Sequence, residues 1–228
     1  MSDETNDNSQ FTIHNSQLRD GYKQTDVGII PEDWDVKSII KCTDYVDYRG
    51  KTPTKTDSGR FLVTAKNIRE GFIDYENSKE YIAESDYEEV MSRGKPKIGD
   101  VLITTEAPLG NVAPIDREDI ALAQRVIKYR AKKEILDSDY LKHYFLGSKF
   151  RKILDDNSSG STAQGIKGSV LHQLPVILPP LPEQHHRRSL ERRGRAGYFL
   201  RPTHHQKAQH QTRRDAAFID GQKTLAGF

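Results

Sequence analysis

The feature that most constrains this 228-residue sequence is a break in composition between Gln184 and His185. Up to Gln184, short apolar runs alternate with Gly-, Pro- and Asn-containing punctuation, the pattern of a domain built from short strands and turns. Beyond it, residues 185–228 set ten Lys or Arg against three acids, a net of +7, and Gly194, Gly197 and Pro202 would break a helix. With 35 basic and 33 acidic residues in all, 1–184 are left with 25 and 30, a net of -5. The sequence pI of about 8.5 therefore belongs to the tail. Any contact of the main domain with nucleic acid must use local patches.

Only 35% of residues are hydrophobic and the mean hydropathy is -0.76, which fits one domain with tails. The single cysteine, Cys42, excludes an internal disulfide framework and a cysteine-based zinc site. No apolar run approaches the roughly 18 residues of a membrane span, and the polar N-terminus is no signal peptide, so a cytoplasmic protein without membrane partners is expected.

Residues 1–20 are rich in Asp, Asn, Ser and Gln and read as a disordered arm. Order is expected from Gly21, with Gly21–Pro31 packing along a surface and Trp34, Val36, Ile39 and Ile40 marking a core-facing strand or short helix. Strands are predicted at Phe61–Thr64, Val101–Thr105, Val112–Ile115 and Val126–Arg130, with Glu106–Asn111 as a loop. Ser85–Ser92 reads as a short helix with Ser85 and Glu88 as a capping box. Asp137 or Ser138 caps a helix carrying Tyr140, Leu141, Tyr144 and Phe145 at helical spacing, interrupted at Gly147-Ser148 before Phe150, Ile153 and Leu154. A polar loop from Ser158 then leads into the apolar run Leu174-Pro175-Val176-Ile177-Leu178 and a proline stop. The expected class is α+β, short strands in a twisted mixed sheet with flanking helices over residues 21–184, followed by an aberrant, mostly disordered tail over 185–228.

Several words in this order resemble the specificity subunits of Type I restriction-modification systems. They are Ile30-Pro31-Glu32-Asp33-Trp34, Arg49-Gly50-Lys51-Thr52-Pro53, Lys66-Asn67-Ile68-Arg69-Glu70-Gly71, Gly94-Lys95-Pro96, the run Gly99 to Ala113, Gln124-Arg125, Gly160-Ser161-Thr162 with Gly165-Ile166, and Leu174-Pro175 to Glu183-Gln184. The resemblance implies a target recognition domain that reads half of a bipartite double-stranded DNA site. It also implies modification (methyltransferase) and restriction subunits as partners, a second specificity chain, and no catalysis or cofactor of its own.

The residues argue for binding independently. An adenine methyltransferase needs an Asn-Pro-Pro-aromatic word, and Pro179-Pro180 lacks both flanks. Gly160 to Gly165 has phosphate-loop spacing, but Ile166 stands where a lysine is required. Glu32, Asp35 and Lys37 around Trp34 read as a solvated face, and His204, His205 and His210 lack a ligand set. Arg or Lys can address guanine O6 and N7, and Asn or Gln can pair both ways with adenine. The candidate base readers are Lys51, Lys55, Lys66, Asn67, Arg69, Gln124, Arg125 and Gln164. Thr52, Ser159, Ser161, Thr162 and Lys167 suit phosphates. The bland alternatives stay open: Gln124 and Asn67 as partners of loop carbonyls, Lys66 and Arg69 as solvated charges, and Gly160, Gly165 and Gly168 as backbone joints.

After His185 the family continues as a long amphipathic helix, from which this sequence departs. Codons permitted for Asp215–Phe228, read one base later, allow Met-Gln-His-Leu-Leu-Thr-Gly-Lys-Arg-Arg-Leu-Pro-Gly, similar to the family's usual ending. The same shift over Ser189–Gly197 allows Ala-Leu-Ser-Asp-Val-Asp-Gly, similar to the start of its helix. A frameshift near His185 and His186 is the expectation, with loss of the helix on which partner subunits dock.

Overall fold

A computed structural model describes residues 20–48, 52–160 and 164–185. Nearly all of the expected N-terminal arm and all but the first residue of the basic tail lie outside the described residues, as do Lys51, Ser161 and Thr162.

The frame is an antiparallel sheet of four strands in the order β4-β10-β7-β8, formed by β4 (Thr43–Asp47), β10 (Val126–Ala131), β7 (Val101–Thr105) and β8 (Leu109–Pro114). Alternation along these strands sends side chains to two cores. Val101, Ile103, Val112, Ile127 and Tyr129 enter one core, and Leu102, Ala113 and Val126 enter the other. The first core is completed by α3 (Ser138–Leu146) and α4 (Ser148–Asp156). The second is closed by a three-stranded sheet of β6 (Tyr81–Ile82), β5 (Arg60–Val63) and β9 (Ile120–Leu122), in that order.

Local chemistry accounts for the helices. The carboxylate of Asp137 accepts from Tyr140 N at 2.9 Å, the N-cap bond expected of it. Tyr140, Leu141, Tyr144 and Phe145 are buried, and Gly147 divides α3 from α4. Two phenols then fasten a strand: Tyr140 Oη donates to Ile177 O at 2.7 Å and Tyr144 Oη to Pro175 O at 2.9 Å. That strand, β11 (Pro175–Leu178), pairs antiparallel with β3 (Asp35–Ser38), so the end of the domain returns to its beginning. Between β3 and β4 lies one turn, α1 (Ile39–Cys42).

The α+β class stands, with differences in detail. The strands form four separate sheets, and only β5 with β9 is parallel, so mixed character is confined to the small sheet. Gly21–Pro31 is a hairpin, β1 (Tyr22–Thr25) with β2 (Gly28–Pro31). The capping box is not formed: a 3-10 turn at Glu84–Asp86 precedes α2 (Tyr87–Val90), because Ser85 Oγ donates to Asp86 Oδ1 at 2.9 Å and no side chain caps the turn. The loop after β7 is shorter than expected, since Asn111 N finds Thr104 Oγ1 at 2.9 Å and β8 already begins at Leu109 after a register shift. None of the described helices is long and apolar enough to cross a membrane.

Candidate nucleic-acid interface

All five residues of β7 are buried, which makes its exit a fixed point. Glu106 leaves there, beside the entry to β10, where Gln124 and Arg125 stand. Thr105 N and Thr105 Oγ1 both donate to Arg125 O, at 3.0 and 3.3 Å. Arg125 has φ of 71°, a left-handed conformation that costs roughly 1–2 kcal/mol in a residue with a Cβ. Those two bonds hold it, and its Nε lies 2.8 Å from Glu106 Oε1 in an ion pair whose side chains are both about half exposed.

The polar loop after α4 closes on the same point. Glu106 forms a bridge with Gly165, and Ser159 and Gly165 exchange both backbone bonds at 2.9 Å. Ile166 N donates to Thr105 O at 3.0 Å. The loop therefore leaves Ser159, Gln164 and Lys167 exposed along this edge. Gln124 is half buried, and its amide meets no partner among the described residues. The structure thus brings together Gln124, Arg125, Ser159, Gln164 and Lys167.

Next to this edge lies an open cleft of about 630 Å³ between the 106–111 turn and the helices, with Glu70, Asn111, Arg151 and Gln164 as its polar lining and Phe145 and Leu146 among its apolar lining. Arg151 Nη1 donates to Leu109 O at 2.9 Å, which ties α4 to the start of β8. Gly110 has φ of 75°, and a Cβ there would lie 2.5 Å from Leu154 Cδ2, so glycine is what lets strand and helix approach.

The 66–71 turn is anchored to β8 by Gly71 N to Val112 O at 2.7 Å and Asn111 Nδ2 to Ile68 O at 2.8 Å. Asn67 within it is not a base reader. It is fully buried, its Oδ1 accepts from Thr64 N and Thr64 Oγ1 at 2.9 and 2.8 Å, and its Nδ2 donates to Asp74 O at 3.0 Å and to Asn77 O. A side chain so fully used by its own turn has no donor left for DNA. Lys66 is exposed, whereas Arg69 lies 3.4 Å from Asp74 Oδ2 in a half-exposed pair. Lys55 pairs with Glu80 at 2.7 Å, and Thr52 is exposed nearby in sequence. No hydrogen bond or ion pair among the described residues joins Lys55 or Thr52 to the Glu106 edge.

Two residues inside the resembling words had received no role. Glu106 is one, and its signal is a carboxylate at the exit of a β-branched strand. Asp100 is the other: 2% exposed, it accepts from Arg130 Nε and Nη2 at 2.7 Å each, lies 3.2 Å from Lys128 Nζ, and accepts from Lys97 N at 3.0 Å. Burial lowers the pKa of Lys128 despite that carboxylate, while the hydrogen bond to Asp100 raises that of Arg130. This group holds β10 to the turn before β7, away from the exposed edge. Among the described residues, no three His, Cys, Asp or Glu side chains are grouped to hold a metal.

Planar and hydroxyl side chains thus stand at a strand exit beside a polar loop, a set of donors and acceptors suited to hydrogen bonding. Residues 31–187 match the family model described as the Type I restriction modification DNA specificity domain, and the chain belongs to that family. It is 32% identical over 169 residues to the MjaIX specificity subunit of a Type I restriction enzyme from Methanocaldococcus jannaschii, covering 72% of this chain and 38% of that protein. To the MjaVIII specificity subunit from the same organism it is 28% identical, covering 72% and 40%. The chain thus spans about two fifths of the curated relatives it matches. In fold it is similar to a chain of a type I R-M system, with TM-score 0.55, 18% identity, and 86% of this chain and 44% of that one covered. The HsdS subunit from Thermoanaerobacter tengcongensis gives 0.50 and 18%, covering 72% and 37%.

Proposed function

We propose that residues 21–184 are a DNA target recognition domain, a non-catalytic module that reads one half of a bipartite site on double-stranded DNA. The observation that carries this is the convergence of Gln124, Arg125, Ser159, Gln164 and Lys167 on one braced edge, in a chain of the DNA specificity domain family. Arg and Gln supply paired donors and acceptors for base edges, and Ser and Lys supply phosphate contacts that set register. Lys55, Lys66, Arg69 and Thr52 belong to the proposal as outlying contacts, and Lys51, Ser161 and Thr162, which lie outside the described residues, belong to it by residue type.

The module serves modification and restriction subunits in the cytoplasm, which carry the methylation and cleavage chemistry, and a second specificity chain supplies the other half-site. Residues 185–228 are a basic segment encoded in a shifted frame. The nucleotide sequence of the locus tests this last point: an open shifted frame with a sustained helical pattern supports it, and early stop codons in that frame refute it. For the domain itself, the test is incubation of the purified chain with duplex DNA and magnesium. Sequence-dependent binding without cleavage is the expected result, and cleavage in the absence of partner chains would overturn the proposal.

A further inference from the structure

Arg125 and Glu106 form a close pair in the middle of the proposed recognition edge, and a pair of opposite charges is an unexpected device on a surface meant for a polyanion. A guanidinium already neutralised by a carboxylate releases little counterion from a phosphate, and the carboxylate itself repels one. The pair is better suited to a base. Glu106 Oε1 stands 2.8 Å from Nε of Arg125 in a half-exposed ion pair, and the two terminal nitrogens form the planar fork of a guanidinium. Such a fork matches O6 and N7 of guanine.

The backbone that carries the pair is held on both sides. The Arg125 carbonyl is held by Thr105 N at 3.0 Å and by Thr105 Oγ1 at 3.3 Å. Glu106 is backed by the chain at Gly165, where an added Cβ would lie 3.4 Å from Glu106 Cβ and 3.8 Å from its Oε2. We infer that Arg125 reads a guanine in the recognised half-site and that Glu106 is a positioning residue, which aims the guanidinium and keeps it off the phosphates.

This rests on the proposed DNA-reading role, and selection of the full chain against a randomised duplex library separates the two. The wild-type chain is expected to enrich a short motif containing a fixed guanine. Arg125→Ala should relax that one position by roughly 5- to 150-fold while the remainder of the motif persists. Glu106→Ala should relax the same position without weakening overall binding. Glu106→Gln, which keeps a side-chain oxygen of the same reach beside Nε, should retain the preference. A motif unchanged by Arg125→Ala, or a uniform loss at all positions, overturns the inference alone, and so does a preference that survives Glu106→Ala. A library that yields no motif for the wild type refutes the DNA-reading role and this inference together.

Discussion

At the scale of single residues, the polar groups divide into buried ones that hold the fold and exposed or half-buried ones available to a ligand. Asn67 serves four backbone groups and one hydroxyl, so Asn67→Ala leaves several buried groups unsatisfied, each worth about 1–3 kcal/mol. We expect a loss of at least about 2 kcal/mol in urea denaturation, with the base preference of the folded fraction unchanged. Asp100 carries a heavier role, because its removal strands the buried ammonium of Lys128. Asp100→Ala is expected to cost about 3–5 kcal/mol, measured in the same way.

The phenols set the alkaline limit. Burial raises the pKa of Tyr48, Tyr140 and Tyr144 well above the ordinary value near 10, so the native state keeps protons that the unfolded chain releases. Stability from these groups is complete below pH 10 and falls as pH rises above it, by up to about 1.4 kcal/mol per pH unit for each phenol. Lys128 acts in the opposite sense: its lowered native pKa means the unfolded chain binds its proton more tightly, so its contribution rises up to pH about 10.5. Three groups outweigh one, and urea titrations between pH 9 and 11.5 should show a net decline, shallower in Tyr140→Phe.

At the scale of elements, two joints decide whether the layers stay assembled. Gly59 has φ of 125°, and a Cβ there would come 2.3 Å from Ile82 O, a backbone atom that cannot give way without separating β5 from β6. Gly59→Ala should therefore cost at least about 2 kcal/mol and raise hydrogen exchange across both strands. Gln184 is the second joint, at the end of the one-turn helix α6 (Leu181–Gln184). Its amide accepts from Asp137 N at 2.8 Å and donates to Ile135 O at 3.1 Å and Pro179 O at 2.8 Å, so it ties the chain after β11 to the start of α3. Gln184→Ala should loosen residues 179–185 in hydrogen exchange and destabilise the domain by about 2 kcal/mol.

The β-branched run of β7 and the alternating character of β10 were legible in the sequence, as was α3 with its Asp137 cap. The capping box at Ser85 was not, because a neighbouring carboxylate took the hydroxyl that a local rule assigns to the helix. The division into separate sheets depends on pairings such as Ile177 with Val36, across well over a hundred residues, and local periodicity carries no record of them. The candidate site was legible only as residue types; what draws Arg125 and the polar loop together is Glu106, paired with the one and bridged to Gly165 of the other. Asn67 was misread because its side-chain chemistry suits both a base and a turn, and only burial distinguishes the two. Glu106 was overlooked because a carboxylate argues against DNA until its partner is seen.

At the scale of the whole molecule, the charge division and the geometry assign different work to different parts. In the proposed function, a domain of net -5 does not hold DNA by bulk attraction, so its discrimination would come from a few oriented groups, while a segment of net +7 would contribute mainly salt-sensitive, sequence-independent attraction. Raising salt should weaken binding to every duplex yet leave the ratio between recognised and scrambled sites nearly constant. The most direct test is equilibrium binding of the intact chain to a duplex recovered by selection and to a scrambled duplex of the same composition, at about 50 and 200 mM salt. The expected result is that both affinities fall and the selected duplex stays preferred at each salt concentration; equal affinity for the two duplexes throughout would contradict a sequence-reading role.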